Sequence, residues 1–141
     1  MLFRSKNILR SVTVIAILMS VTLLAAPLAA PQKSVWDGVY TADQATRGQK
    51  TYDAECSRCH ELSSFAGKQF MDAWKGQTAG DLYDNISSAM PMDAPGKLDK
   101  QQYVDIVTYM FKLNEFPAGQ EELKADKNVL QGVKIEPKPA H

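Results

Sequence analysis

The sequence predicts an all-α fold of three to five helices in a single small domain. Two segments place apolar side chains at helical spacing behind a capping residue, and shorter helical patterns stand between them. No stretch shows the alternation of apolar and polar side chains that marks a half-buried strand. Short helices joined by loops are therefore the expected architecture.

The first predicted helix covers residues 42–55. Thr41 suits the N-cap position, and Gln44 stands three residues later, as in a capping box. Gly48 and Tyr52 follow at helical spacing. Because glycine inside a helix costs ~1 kcal/mol relative to alanine, Gly48 indicates that another backbone approaches closely, with an indifferent surface glycine as the alternative.

The last predicted helix has the strongest pattern in the chain. Asp99 caps it, Gln102 completes a capping box, and Pro117 ends the segment. Its apolar residues follow the i, i+3, i+4, i+7 rhythm of one helix face and comprise Tyr103, Ile106, Val107, Met110 and Leu113.

Two shorter helices are predicted between these. One contains Phe70 and Trp74, and the other begins near Thr78, with Asp81 three residues further on. Residues 89–98 cannot continue a helix, because two prolines and a glycine interrupt them.

The N-terminal segment, residues 1–30, has the layout of a secretory signal. Three basic residues stand within the first ten, and the next twenty-two residues carry no charge. The apolar run is also long enough for an uncleaved membrane anchor. Either interpretation places the rest of the chain outside the cytoplasm, in the periplasm, and on the membrane only if the segment is retained.

The remainder divides into an extended arm (31–40), the predicted helical domain (41–117) and a polar C-terminal tail (118–141). It carries 13 Lys and Arg against 16 Asp and Glu, a net charge near −3. The basic residues form no cluster or stripe, so the composition argues against a nucleic-acid partner.

The stretch ECSRCH, residues 55–60, holds both cysteines of the chain and one of its two histidines. Cys56 and Cys59 are three residues apart, so both sulfurs point to one side of a helical turn. His60 follows directly. This C-x-x-C-H pattern is the signal for covalent haem, in which the two sulfurs tether the porphyrin and the histidine binds its iron.

Three other chemistries compete for the motif. A redox-active dithiol normally opens a helix after a strand, whereas Cys56 and Cys59 close a predicted helix. A disulfide across so short a loop is often strained. A zinc site needs four ligands, and the only other histidine, His141, stands at the chain terminus. One covalently bound haem c is therefore the expected cofactor.

A haem iron held by His60 has a second face, which stays open or is closed by another side chain, commonly methionine. Met71 and Met110 belong to apolar helical stripes, where methionine usually fills the core. Met90 and Met92 remain as candidate axial ligands, and the proline between them fixes the backbone directly behind Met90.

A haem closed on both faces can only take and give single electrons. The leading hypothesis is therefore a monohaem electron-transfer protein and not an enzyme. Its rivals are a haem enzyme or gas sensor with a dissociable distal methionine, a thiol oxidoreductase that uses the C-x-x-C pair, and a structural subunit that merely contains haem.

Two stretches, GQKTYDAECSRCHEL and MPMDAPGKLDKQQYVDIVTYM, resemble the class I c-type cytochromes, and the resemblance extends from Thr41 to Asn114. It implies a compact cytochrome c fold around the covalently bound haem. It also implies that the first helix crosses the last with Gly48 near Ile106. It favours Met90, which directly precedes proline, as the distal iron ligand.

A narrower resemblance rests on SVWDGVYTADQATRGQ, WKGQTAGDLYDNI, MPMDAPG and FPAG. These stretches are similar to small cytochromes and cytochrome domains associated with quinoprotein (PQQ-dependent) alcohol dehydrogenases. The resemblance implies such a dehydrogenase as electron donor, with a terminal oxidase or another cytochrome of the respiratory chain as acceptor. One departure is that no proline lies between Glu61 and Gly80, where class I members often carry one that orients the haem histidine.

Overall fold

The computed structural model describes residues 31–140. The predicted signal or anchor, residues 1–30, and His141 lie outside this part. The described residues form five α-helices and two strands of two residues each, so the all-α prediction is confirmed. No helix among them combines the length and the apolar character needed to cross a membrane.

The elements follow one another with short connections. In chain order they are β1 (Lys33–Ser34), a 3-10 turn (Val35–Asp37), α1 (Ala42–Glu55), a second 3-10 turn (Leu62–Phe65), α2 (Gly67–Trp74), α3 (Ala79–Ala89), α4 (Lys100–Leu113), α5 (Lys127–Gln131) and β2 (Val133–Lys134).

Helices α1 and α4 cross at Gly48. A Cβ atom on Gly48 would overlap the carbonyl oxygen of Asp105 and lie 3.0 Å from the amide nitrogen of Ile106. One turn further on, the rings of Tyr52 and Tyr109 pack with their centroids 5.6 Å apart. The close backbone approach predicted from Gly48 is therefore confirmed, and it sets the position at which α1 delivers the motif that follows it.

Helix α4 is the central element, because all nine residues from 103 to 111 are buried. This run includes Asp105, whose carboxylate accepts hydrogen bonds from Gln44 Nε2 at 3.1 Å and Arg47 Nε at 3.0 Å. A buried carboxylate without such partners would be strongly destabilising. The hydrogen bonds from Gln44 and Arg47 therefore allow α1 to pack over the Asp105 carboxylate of α4.

The helix caps agree with the sequence in part. Helix α3 begins after Thr78, as expected, and carries a complete capping box, since Asp81 N donates to Thr78 Oγ1 at 3.1 Å and Thr78 N donates to Asp81 Oδ2 at 2.8 Å. The Thr78 amide and, after it, the Thr78 hydroxyl both donate to the Asp81 carboxylate, and these two bonds lower the pKa of that carboxyl. At α1 Thr41 accepts from Gln44 N as predicted. The contact that a capping box would make between the Gln44 side chain and the Thr41 backbone is wrong, because the Gln44 side chain is fully buried and bonds Leu123.

The arm and the tail pack against each other. Strands β1 and β2 pair in parallel, with Lys33 opposite Val133. Trp36 Nε1 donates to the carbonyl of Glu136 at 2.9 Å. Both segments contribute to the hydrophobic core, with these buried residues: Val35, Val39, Tyr40, Leu123, Leu130, Val133 and Ile135.

Candidate haem site

The C-x-x-C-H motif lies on the turn that ends α1. Cys56 is the C-cap residue, and its amide donates to Tyr52 O at 2.8 Å. The amides of Cys59 and His60 both donate to the carbonyl of Cys56 at 3.1 Å. These bonds fold the motif back on itself, so the two sulfurs and the imidazole belong to one compact turn.

Both thiols are free, with Cys56 half-buried and Cys59 exposed. Burial and, to a smaller extent, the neighbouring Glu55 carboxylate raise the pKa of the Cys56 thiol, while Lys97 partly opposes them. Cys56 also lies at the C-terminal end of a helix, where the macrodipole disfavours a thiolate. Redox-active cysteines have lowered pKa values, so the surroundings of Cys56 do not favour this residue as the nucleophile of a thiol oxidoreductase.

A cleft of about 660 Å³ opens beside the motif. Its volume lies within the range of small-molecule and cofactor sites, about 300–1,000 Å³. All four residues predicted to hold haem line it, as does Met92. The complete lining comprises Tyr52, Glu55, Cys56, Arg58, Cys59, His60, Phe65, Asn85, Ile86, Met90, Pro91, Met92, Asp93, Ile106 and Met110.

Met90 and Met92 differ in their surroundings. Met90 is half-buried and packs against the hydrophobic core. The Met92 side chain is 78% exposed. A side chain that already packs at the wall of the cleft loses little further conformational freedom on binding a metal. The difference favours Met90 as the axial ligand.

The backbone of Met90 is hydrogen-bonded on both sides. Its amide donates to Ile86 O at 2.9 Å, which closes the last turn of α3. Its carbonyl accepts from the Tyr103 hydroxyl at 2.7 Å and from Gly96 N at 3.3 Å. Met90 is therefore held at a fixed point between α3 and α4, although the residues after it form a loop.

The His60 backbone is held in a similar way. The Tyr52 hydroxyl donates to the carbonyl of His60 at 2.8 Å. The imidazole meets the Phe65 ring edge-on, with the ring centroids 5.4 Å apart. Phe65 stands in the 3-10 turn after the motif, within the stretch from Glu61 to Gly80 that contains no proline. An aromatic contact thus limits the rotation of the histidine ring.

An ion pair joins the two segments that carry the candidate ligands. Lys97 Nζ lies 2.6 Å from the Glu55 carboxylate, and this pairing raises the pKa of Lys97. Glu55 directly precedes Cys56, and Lys97 lies in the loop that begins at Met90. Because both side chains are partly exposed to water, the pair contributes little to stability. It does place a charged contact between the two segments.

The donor set fits covalently bound haem. Cys56 and Cys59 supply sulfur for thioether bonds, while His60 and Met90 supply the nitrogen and thioether ligands that haem iron accepts. The remaining wall of the cleft is largely apolar, as a porphyrin requires, and it includes Ile86 and Ile106. Within residues 31–140, no three His, Cys, Asp or Glu side chains come together as a ligand set for a lone metal ion.

The sequence singled out the candidate sulfur and metal ligands but not the two tyrosines whose hydroxyl groups contact their backbones. Tyr52 and Tyr103 appeared only as members of helical patterns. Their hydroxyl groups bond the backbones of His60 and Met90. One signal could have indicated a polar partner: each tyrosine stands in an apolar stripe, where phenylalanine would pack equally well.

Comparison with known protein families agrees with this site. Residues 43–110, 68 of the 141 in the chain, match the family described as "Cytochrome C oxidase, cbb3-type, subunit III". No curated protein and no solved structure matches the chain. The matched segment runs from α1 into α4 and includes both cysteines, His60 and Met90. The match supports a c-type cytochrome domain with a cytochrome c fold, and such a domain implies covalently bound haem c.

Proposed function

We propose that this protein is a monohaem c-type cytochrome that carries single electrons between an extracytoplasmic dehydrogenase and the respiratory chain. One observation carries the proposal: a single cleft gathers Cys56, Cys59, His60 and Met90, which come from two separate parts of the chain. Neither part alone offers the complete set. The family match over residues 43–110 supports the same class of protein.

Each residue has a definite task in this proposal. Cys56 and Cys59 would form the thioether bonds, and His60 and Met90 would bind the iron. Bound haem c supplies reversible one-electron chemistry. The apolar lining contributed by Ile86 and its neighbours limits the access of water. With two protein ligands in place, the iron offers no free position to oxygen, so the site is suited to a carrier and not to an enzyme.

The redox partners are proposed from two sources. The description of the matched family names an oxidase subunit, which favours a terminal oxidase as electron acceptor. The sequence resemblance to cytochromes of PQQ-dependent alcohol dehydrogenases favours a quinoprotein as donor. Electron exchange with both partners on the outer side of the membrane would agree with the periplasmic location expected from residues 1–30.

The second candidate function is a haem enzyme or gas sensor with a dissociable Met90. The half-exposed position of Met90 is the observation that keeps it in consideration. Carbon monoxide separates the two functions, because a carrier with a firmly bound methionine takes up little of it in the ferrous state at neutral pH. Rapid, complete uptake would favour the sensor.

The decisive experiment is a haem stain of the denatured protein, made in cells that attach haem c. We expect haem to migrate with the polypeptide and to resist acid–acetone extraction. Cys56→Ala and Cys59→Ala should each weaken that attachment, whereas Ser57→Ala, between them on the same turn, should not. A colourless wild-type protein would refute the proposal.

A further inference from the structure

The hydroxyl of Tyr103 donates a hydrogen bond of 2.7 Å to the backbone carbonyl of Met90. Tyr103 lies in the first turns of α4, and Met90 is the C-cap residue of α3. Carbonyl groups at the end of a helix have no partner within it and must find one elsewhere. Here the partner is a side chain of the central helix, so the position of Met90 is tied to the most buried element of the fold.

Tyr103 itself has little freedom to move. Its side chain is 2% exposed, and its ring meets Tyr83 edge-on with the centroids 6.2 Å apart. The second donor to the Met90 carbonyl, Gly96 N, is more distant at 3.3 Å and belongs to the loop. Of the two donors, the hydroxyl makes the shorter bond from the more rigid element. It therefore determines where the Met90 backbone lies.

We propose that Tyr103 is a positioning residue for the distal ligand, and that its hydroxyl holds the Met90 backbone so that the thioether stays at the iron. The inference rests on the proposed function, because it concerns how the same site keeps its sixth ligand. Without the hydroxyl, the Met90 carbonyl keeps only the loop contact at Gly96, although the amide still bonds Ile86 O. Dissociation of Met90 from the iron then becomes more frequent.

The expected size of the effect follows from the energy of one hydrogen bond. The net contribution of a typical hydrogen bond corresponds to a factor of roughly 2–10 in an equilibrium constant. Tyr103→Phe should therefore raise the equilibrium constant for Met90 dissociation about 2–10-fold. The phenyl ring is retained, so the packing against Tyr83 is preserved.

Tyr40→Phe is a matched control. The Tyr40 hydroxyl donates to the carbonyl of Phe116 at the same distance of 2.7 Å, and its side chain is also 2% exposed. Tyr40 does not line the cleft. Both variants lose one hydroxyl-to-carbonyl hydrogen bond of the same length, so their global stability should fall by similar amounts. Only Tyr103→Phe should alter the iron.

The experiment uses the haem-loaded full chain. It measures the sulfur-to-iron charge-transfer band of the ferric protein, the affinity of the ferrous protein for carbon monoxide, and the temperature at which the band disappears relative to global unfolding. We expect Tyr103→Phe to bind carbon monoxide about 2–10-fold more tightly, and to lose the band at a lower temperature, relative to its own unfolding, than the wild type does. Tyr40→Phe should keep both readouts of the wild type.

Equal behaviour of the two variants would overturn the inference and leave the proposed function intact. A wild-type protein without covalent haem, or without the charge-transfer band, would overturn both. If Tyr103→Phe does not fold, an ortho-fluorinated tyrosine at the same position keeps the hydroxyl and makes it a stronger donor. That variant should weaken carbon monoxide binding, and an unchanged affinity would overturn the inference.

Discussion

Two methionines, two positions apart, offer the same ligand atom in different settings. Met90 closes α3 and is hydrogen-bonded through its amide and its carbonyl. Met92 lies in the following loop and is largely exposed. A thioether bound to iron must stay in place through oxidation and reduction, so the residue with the fixed backbone is the better ligand. The choice between them is therefore a question about backbone support.

Met90→Ala should lower the reduction potential, because the thioether stabilises ferrous iron. We expect a fall of roughly 0.1–0.2 V, a fraction of the ~0.8 V that axial ligation spans. The ferrous variant should also bind carbon monoxide readily. Redox titration and carbon monoxide difference spectra measure the two effects.

Met92→Ala is the control for that experiment. It removes the same side chain from the same cleft, and its potential should stay close to that of the wild type. If Met92→Ala produced the larger shift, the ligand assignment would be wrong, although the carrier function would stand.

At the scale of elements, the crossing of α1 and α4 sets the geometry of the site. Gly48 allows the two backbones to touch, and α1 then delivers Cys56 at its end. Helix α4 contributes Ile106 and Met110 to the cleft and Tyr103 to the support of Met90. A shift of one helix relative to the other would therefore move both halves of the candidate ligand set apart.

Gly48→Ala should destabilise the protein strongly, because its Cβ would overlap a backbone carbonyl that cannot move aside. Overpacking costs about 1–3 kcal/mol or more. Alanine recovers only ~1 kcal/mol of helix propensity, so we expect a net loss near 2 kcal/mol in the free energy of unfolding, measured by chemical denaturation. Lys50→Ala, exposed on the same helix, should change it by less than about 0.5 kcal/mol. A neutral Gly48→Ala would contradict the crossing.

The elements also show where sequence reasoning succeeds. The Thr78 and Asp81 cap and the cysteine spacing are local patterns, complete within four residues, and they could be predicted. Gln44 fits a local pattern equally well, but its side chain bonds Asp105 and Leu123, which lie 61 and 79 positions further along the chain. The hydrogen-bond partner of the Gln44 side chain depends on which distant segment of the chain packs against it. No single-sequence pattern contains that information.

Across the whole molecule, the C-terminal tail likewise makes long-range contacts that its local sequence does not predict. The sequence predicts a polar tail, yet the tail makes contacts with two other parts of the structure. Ile135 N donates to Gln77 O and its carbonyl accepts from Gly76 N, both in the loop between α2 and α3. Through β2 the tail also pairs with the arm. Its apolar residues are few and scattered along the chain, so their joint burial becomes visible only in the fold.

None of residues 118–140 lines the cleft, so the tail supports the scaffold and leaves the candidate site to other elements. Ile135→Ala tests this division of roles. The side chain is 0% exposed, and truncating a buried isoleucine costs about 2–5 kcal/mol. Chemical denaturation should register this loss. The absorption spectrum of the folded protein and its reduction potential should not change.

Val129→Ala is the matched comparison for Ile135→Ala, because it shortens another β-branched side chain of the same tail that is 41% exposed. Its effect should stay below about 0.5 kcal/mol. Equal, small effects of both substitutions would mean that the tail is not part of the folded core. A shift in potential caused by Ile135→Ala would mean that the tail acts on the haem after all. We therefore expect a loss of stability for Ile135→Ala only, and an unchanged reduction potential for both variants. This result requires a tail that belongs to the scaffold. It also requires a site built by the α1–α4 crossing and the Met90 segment.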